Sequence, residues 1–518
     1  MSNNHTTDNK RIARNTLFLY IRMGVVMIIS LYTTRVILKV LGVEDYGIYN
    51  VVGGFVSMFG MLSTTLTNGI NRFYNFELGK EDGGDITKVY NTAVGIQLLI
   101  ALVVLVLVEG IGLWYVNNVM VFPPERIKVV NWLFQFSMVS MLLIILQAPY
   151  SSAVLAYEKM DFFALISIID ALLKLTICFI IQFFGEDKLF TYGWLILAIS
   201  LTNFVMYFLY ARVKFKKLRL NFHIDKPLFK SMLSFSGWSL LNPLAYTARG
   251  QGCNMVLNYF FGPVLNAAHS VANQIASAVD QMSKNFSISF RPQIIQSYAC
   301  GEYTRTKRLM FSMSKILFLL HAVFTIPVIL EIHNLLALWL GKDSIPEYAA
   351  PFACWILIIK WINSLNPPIT NVMSATGHVK KINIYTASII VCIIPITIVL
   401  LKLGFSPTTM YIAMLGLTIL NQYSCLRILC NTFKEVTMME YVKTIIVPCL
   451  ALTLASLMLP VLTCVLLRPT LWRLLLTSGL SLVSVLASTA FFLNKEEKRL
   501  AKTMLTSLLK RFHFIKKL

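Results

Sequence analysis

The 518 residues are 57% hydrophobic and only 14% charged, with a mean hydropathy of +0.68, where soluble domains carry about 25% charged residues. The apolar residues come in repeated runs of about twenty, each long enough to cross a hydrocarbon core of about 30 Å as a helix. Neither a set of water-soluble domains nor one large apolar core fits that pattern, and the net charge of +22 points to nucleic acid only until its distribution is considered.

In chain order, a polar segment (1–15) precedes fourteen predicted spans near 16–40, 47–68, 88–113, 128–150, 162–184, 189–211, 230–258, 264–288, 309–332, 350–373, 383–403, 408–430, 443–466 and 470–493. Lys10, Arg11 and Arg14 open the first run as in a secretory leader. The run continues to Val40 without a small-residue cleavage site, so it reads as an uncleaved helix. With the N-terminus inside, Lys and Arg flank the inner ends about four times as often as the outer ends, the positive-inside pattern. The basic charge therefore orients a multi-pass membrane protein with both termini cytoplasmic, and no nucleic-acid partner is needed. Nine cysteines without C-x-x-C spacing, mostly in apolar runs, argue against a disulfide framework or a metal site.

An offset near 219 residues recurs along the chain. Arg72 and Arg291, Lys88 and Lys307, Pro149 and Pro368, Ala156 and Ala375, Gly185 and Gly404, and Tyr192 and Tyr411 all follow it. Glu109 with Glu331 and Trp114 with Trp339 follow it after small loop insertions. Such duplication is common among membrane transporters. The expected fold is all-α, with two pseudo-symmetric six-helix lobes, 16–212 and 229–431, joined by a basic cytoplasmic linker (213–228). Two further helices follow (440–493), and a basic tail (494–518) has the spacing of an amphipathic helix on the inner leaflet.

Arg22, Arg35, Glu109, Asp170, Lys174, Arg249, Asp280, Lys284, Glu331 and Lys360 all fall within apolar spans. Facing lipid at mid-bilayer, each would cost about 2.5 to 3.5 kcal/mol, so most must face protein or water. Arg35, Glu109 and Glu331 lie near span ends, within snorkelling reach of water. At about 100° per residue, His269, Asn273, Ser277, Asp280 and Lys284 form one polar stripe on the eighth span, as do Asn50, Ser57, Thr64 and Asn68 on the second. These stripes line a polar cleft or join helices through hydrogen bonds. Asp170 with Lys174, and Asp280 with Lys284, are i,i+4 pairs able to neutralise each other. Arg22 and Arg249 have no such neighbour, and an anionic phosphate ligand would supply the missing charge. Lys360, between Trp355 and Trp361, is a weaker candidate of that kind.

The stretch from Asn15 to Arg22, the sequence Leu41-Gly42-Val43-Glu44-Asp45-Tyr46-Gly47-Ile48-Tyr49-Asn50-Val51-Val52-Gly53-Gly54, and Leu257 to Ala268 with Pro292-Gln293-Ile294 after it resemble Wzx-type polysaccharide exporters. These belong to the multidrug/oligosaccharidyl-lipid/polysaccharide (MOP) exporter superfamily. The resemblance implies a MATE-like fold and a flippase in the bacterial plasma membrane. Its cargo would be an undecaprenyl-diphosphate-linked oligosaccharide, received from glycosyltransferases and passed to a polysaccharide polymerase. Arg22, Arg249 and Lys284 would be the main diphosphate contacts, with Lys174 and Lys360 secondary, and His269, Asn273, Asn50 and Asn68 would line the cleft. Similar proteins often have Arg where this chain has His269. Other readings are a cation-coupled drug extruder, a lipid II flippase, a membrane glycosyltransferase or polymerase, and a membrane scaffold. No catalytic residue, metal or cofactor is expected. Asp280, Asp170 and Glu109 are candidates for a coupling proton or sodium ion.

Overall fold

The computed structural model describes residues 2–78, 85–157, 159–183, 187–215, 218, 220–221, 224–239 and 241–492. No strand occurs among them. The chain separates into two compact units, Met1–Ala267 and Ala268–Leu518. The first contains α1 (Ser2–Leu78), α2 (Ile86–Leu107), α3 (Leu113–Asn118), α4 (Ile127–Ala156), α5 (Met160–Ile180), α6 (Lys188–Lys214), α7 (Lys226–Ser239) and α8 (Leu241–Phe261). Helix α9 (Pro263–Ala299) starts there and continues into the second unit. That unit adds α10 (Tyr303–Leu330), α11 (Ile332–Leu340), α12 (Ala349–Asn363), α13 (Asn366–Thr376), α14 (Val379–Val391), α15 (Ile393–Lys402), α16 (Thr409–Thr432), α17 (Met438–Tyr441), α18 (Val447–Leu466) and α19 (Leu471–Phe492).

Among the described residues, ten helices are long and apolar enough to cross a membrane, the one at Arg22–Gly60 being both arms of α1. The expectation of fourteen spans also needs three helical stretches outside this group. Helices α8 and α9 carry Asn254, Asn258, Asn266, His269, Asn273 and Asp280, and α12 and α13 are each too short because the chain breaks at Ser364–Leu365. Elsewhere the outer faces are apolar: on α18, Leu450, Leu454, Met458 and Val465 are all more than half exposed. A soluble protein would bury such a stripe, whereas lipid solvates it.

Gly42 divides α1 into two arms, at φ 84° and ψ 170°, a conformation open essentially to glycine alone. The second arm packs on α8 and on the start of α9, where a Cβ on Gly47 would lie 1.9 Å from the Pro263 carbonyl oxygen. Further along, the Asn254 side chain donates to the Asn50 carbonyl at 3.3 Å, and Asn266 donates to Asn254 at 2.6 Å. Fully buried Asn258 accepts from Val121 N at 3.0 Å and donates back to Val121 O at 3.3 Å. The two stretches that resemble the exporters most are thus two faces of one helix interface, and their Gly and Asn residues are what its close approach requires.

The described residues of the basic linker lie against the first unit. Phe215 and Leu218 are buried beside Tyr150, Tyr207 and Met232, and Asn221 N donates to Asn91 Oδ1 at 2.7 Å. Lys88, at the start of α2, pairs with Asp225 at 2.8 Å, and its repeat counterpart Lys307, at the start of α10, pairs with Glu440 at 2.7 Å. The same tie therefore recurs in both units.

Glu331 departs from expectation. Only 1% exposed, it does not reach water but is held by Arg473 Nε at 2.8 Å, Thr477 Oγ1 at 3.2 Å and Asn334 Nδ2 at 2.5 Å. Its position at the break between α10 and α11 lets it take donors from α19, so this carboxylate ties the α18–α19 hairpin to the rest of its unit. Glu109, its repeat counterpart, sits in a π-helical bulge, Val108–Gly112.

Two outcomes follow for stability. Gly47→Ala should lower the melting temperature in detergent by several degrees through overpacking worth about 1 to 3 kcal/mol, while Gly53→Ala, with nothing within 4 Å of its Cβ position, should be neutral. Glu331→Gln leaves the Arg473 charge uncompensated and should cost about 3 to 5 kcal/mol. Proteolysis should then open the α18–α19 hairpin first.

Candidate anion-binding site

In the first unit, Arg22 points at the beginning of α5. Its Nη1 donates to Ser167 Oγ at 3.4 Å and its guanidinium lies 4.9 Å from the centre of the Phe163 ring. Phe163 and Ser167 are one helical turn apart and so share a face. Tyr207 on α6 is buried within electrostatic reach of both Arg22 and Asp170. Arg249, on α8, lies 5.4 Å from the Tyr246 ring. Among the described residues neither arginine has a carboxylate partner.

Lys174 differs. It bonds Asp170 at 2.7 Å as the i,i+4 spacing predicts, and Asn203 on α6 donates to the other Asp170 oxygen at 2.7 Å. Both oxygens of this carboxylate are occupied, one of them by an amide that cannot titrate. Asn50, placed by the sequence in a cleft-lining stripe, donates its amide to Tyr46 O on its own helix at 2.7 Å, and its backbone carbonyl accepts from Asn254 on α8.

The second unit gathers the rest of the α9 stripe. His269 is 6% exposed and its Nδ1 lies 2.6 Å from the Tyr411 hydroxyl. The corresponding tyrosine of the first unit, Tyr192, has its ring edge-on to Tyr49 at 4.8 Å. Asn273 turns back on its own helix and donates to His269 O at 2.9 Å. Asp280 receives Lys360 Nζ, from α12, at 2.5 Å, and His321 Nε2, from α10, lies 3.5 Å from its other oxygen. Lys360 thus has a counter-ion where none was foreseen. Lys284 and Asn68 lie outside the residues whose side chains are described, as does the 494–518 tail.

Sequence reasoning missed Ser167, Phe163, Asn203 and His321. A lone histidine in the apolar run of α10 was the one available signal. The other three are ordinary helix residues whose importance comes only from what crosses to them.

This arrangement of broken and polar helices has known counterparts. The chain superposes on "Lipid II flippase MurJ, inward closed conformation" with a TM-score of 0.68 at 14% identity, covering 92% of this chain and 98% of that one. It superposes on "Inward-facing conformation of a multidrug resistance MATE family transporter of the MOP superfamily" with a TM-score of 0.65 at 13% identity, covering 81% and 99%. For "Reverse polarity of binding pocket suggests different function of a MOP superfamily transporter from Pyrococcus furiosus Vc1 (DSM3638)" the values are 0.53, 12%, 82% and 97%. At such identities the likeness is one of fold, the fold that these membrane transporters share. Residues 12–333, more than half of the chain, match the family described as "Polysaccharide biosynthesis protein", and the chain belongs to that family. No curated protein matches it.

Proposed function

We propose that the protein is a flippase. It carries an undecaprenyl-diphosphate-linked oligosaccharide, the repeat unit of an O-antigen, capsule or exopolysaccharide, from the inner to the outer leaflet of the bacterial plasma membrane by alternating access. The observation that carries this reading is the pair of intramembrane arginines, Arg22 and Arg249, without carboxylate partners among the described residues. An uncompensated guanidinium inside a bilayer is costly, and a diphosphate offers it planar, bidentate acceptors. Phe163 and Ser167 hold the Arg22 guanidinium in one orientation beforehand, which lowers the ordering cost of binding. The Lys and Arg bias of the loops supports cytoplasmic termini, and the substrate chemistry places glycosyltransferases before the protein and a polymerase after it.

A second reading has a specific observation in its favour: a structural counterpart is named as a lipid II flippase. That cargo also carries a lipid diphosphate, so the same arginines would serve. A drug extruder should present free carboxylates to a cationic drug, whereas Asp170 and Asp280 are both engaged by lysines.

In a host lacking the gene, wild type should restore surface polysaccharide, and Arg22→Ala with Arg249→Ala, at normal membrane abundance, should restore less than about a tenth of it. Full restoration by the double variant would remove the cationic site. Rescue of cells depleted of their lipid II flippase, without effect on surface polysaccharide, would select the second reading.

A further inference from the structure

Within the first unit, the connection between α3 and α4 (119–126) is held from two sides, and the two holds differ in kind. On one side Arg126 donates to Asp45, at the start of the second arm of α1, at 2.9 Å, and to Asp187. Asp187 in turn caps α6, accepting from Leu189 N at 3.0 Å and Phe190 N at 3.3 Å. On the other side Asn258 of α8 grips the Val121 backbone, accepting from its N–H at 3.0 Å and donating to its carbonyl at 3.3 Å. Asp45, Arg126 and Asp187 belong to the first of the two lobes that the repeat predicts, whereas Asn258 belongs to the second. A seam between those lobes therefore runs between the connection and α8.

Two more bonds cross that seam: Asn254 donates to the Asn50 carbonyl at 3.3 Å and Gln251 Nε2 to Ser57 Oγ at 3.4 Å. These four bonds are neutral, and none is shorter than 3.0 Å. The ties on either side are stronger. In the first lobe two carboxylates share one guanidinium, and in the second Asn266 binds Asn254 at 2.6 Å. Charge-assisted bonds hold about twice as strongly as neutral ones. Val121 is also 46% exposed, so its backbone can exchange Asn258 for water at small net cost. If the connection releases one partner, that partner is Asn258.

We propose that this seam is a gate, closed at the outer face in this structure, and that it parts between Val121 and Asn258 while the connection stays with Asp45 and Asp187. Arg126 is a positioning residue: it fixes the connection against α1 and α6, so that Asn258 meets the same two backbone groups each time the gate closes. Gln251 stands two residues from Arg249, so the closed seam ends beside the proposed anion contact and an anion held there would leave through it. The proposal rests on the flippase reading for the movement of the lobes and for which face is outer.

The test reads accessibility from each side of the membrane in the full-length chain. Ser57 is exposed and lies against Gln251, so Ser57→Cys reports on the seam, and the chain without that substitution gives the background of the native cysteines. With a membrane-impermeant maleimide, Ser57→Cys should react about tenfold faster in inside-out than in right-side-out vesicles. Adding Asn258→Leu, which keeps the size and removes both bonds to Val121, should bring the two rates together and lower the surface polysaccharide restored to a host lacking the gene. Where that variant does not reach the membrane, Val121→Pro removes one of the two bonds from the loop side and should raise the right-side-out rate about threefold. Arg126→Gln acts on one side of the seam only, so it should lower the melting temperature and leave the sidedness unchanged.

Equal rates from both sides before any gate substitution, or no rise with either Asn258→Leu or Val121→Pro, would overturn the gate. A rise with Arg126→Gln alone would overturn its line of parting. Faster reaction in right-side-out vesicles would assign the closed face to the cytoplasm and overturn the orientation. A seam that opens as expected, in a host whose surface polysaccharide does not depend on the gene, would keep the gate and remove the flippase reading.

Discussion

Most of what distinguishes this molecule follows from the cost of a charge inside a bilayer. Water is absent, so each ionisable group must find its compensation in the protein, reach the interface, or wait for a ligand. The described residues contain groups of each kind. Glu331 with Arg473, and Asp170 with Lys174 and Asn203, are compensated by groups of fixed charge, and they join helices: α19 to the α10–α11 break, and α5 to α6. Arg22 and Arg249 are supported by aromatic rings and a hydroxyl but by no carboxylate. Buried pairs are poor devices for stability alone, since apolar residues of similar volume often do as well. Their use here is to specify which helices meet.

A second constraint acts on the backbone. Without a hydrophobic force between helices in lipid, association depends on close packing and interhelical hydrogen bonds. The contact of the second arm of α1 with α8 and the start of α9 uses both, with Gly47 at the Pro263 carbonyl and the chain of Asn50, Asn254, Asn266 and Asn258. The motifs by which the family is recognised are therefore packing motifs, which explains why they say much about fold and little about cargo.

That division also explains what the sequence made legible. Helical class and membrane placement depend on local hydropathy, on Gly and Pro, and on charge in the loops, and these are written along the sequence itself. Lys88 and Lys307, which the offset pairs, each meet a carboxylate, Asp225 and Glu440. Cross-helix partners are not written that way. The i,i+4 rule found Asp170–Lys174 because both residues lie on one helix, and it could not bring Lys360, which comes from another helix, to Asp280; the Asp280–Lys284 pair lies outside the described side chains. Glu331 was misjudged for the same reason: its nearness to a span end suggested water, and only the fold brings Arg473 and Thr477 to it.

The repeat then becomes informative where it fails. Asn50 and His269 stand one repeat offset apart, yet Asn50 returns its amide to Tyr46 O on its own helix while its carbonyl accepts from Asn254 on α8, and His269 is buried against Tyr411. Glu109 and Glu331 likewise correspond, yet one sits in a π bulge and the other anchors a hairpin. Among the described residues, the first unit leaves Arg22 and Arg249 without a carboxylate, whereas the second holds Lys360 against Asp280. Residues that the repeat offset pairs thus meet different partners, so the offset alone assigns no side chain its contacts, which depend on what the other helices bring to it.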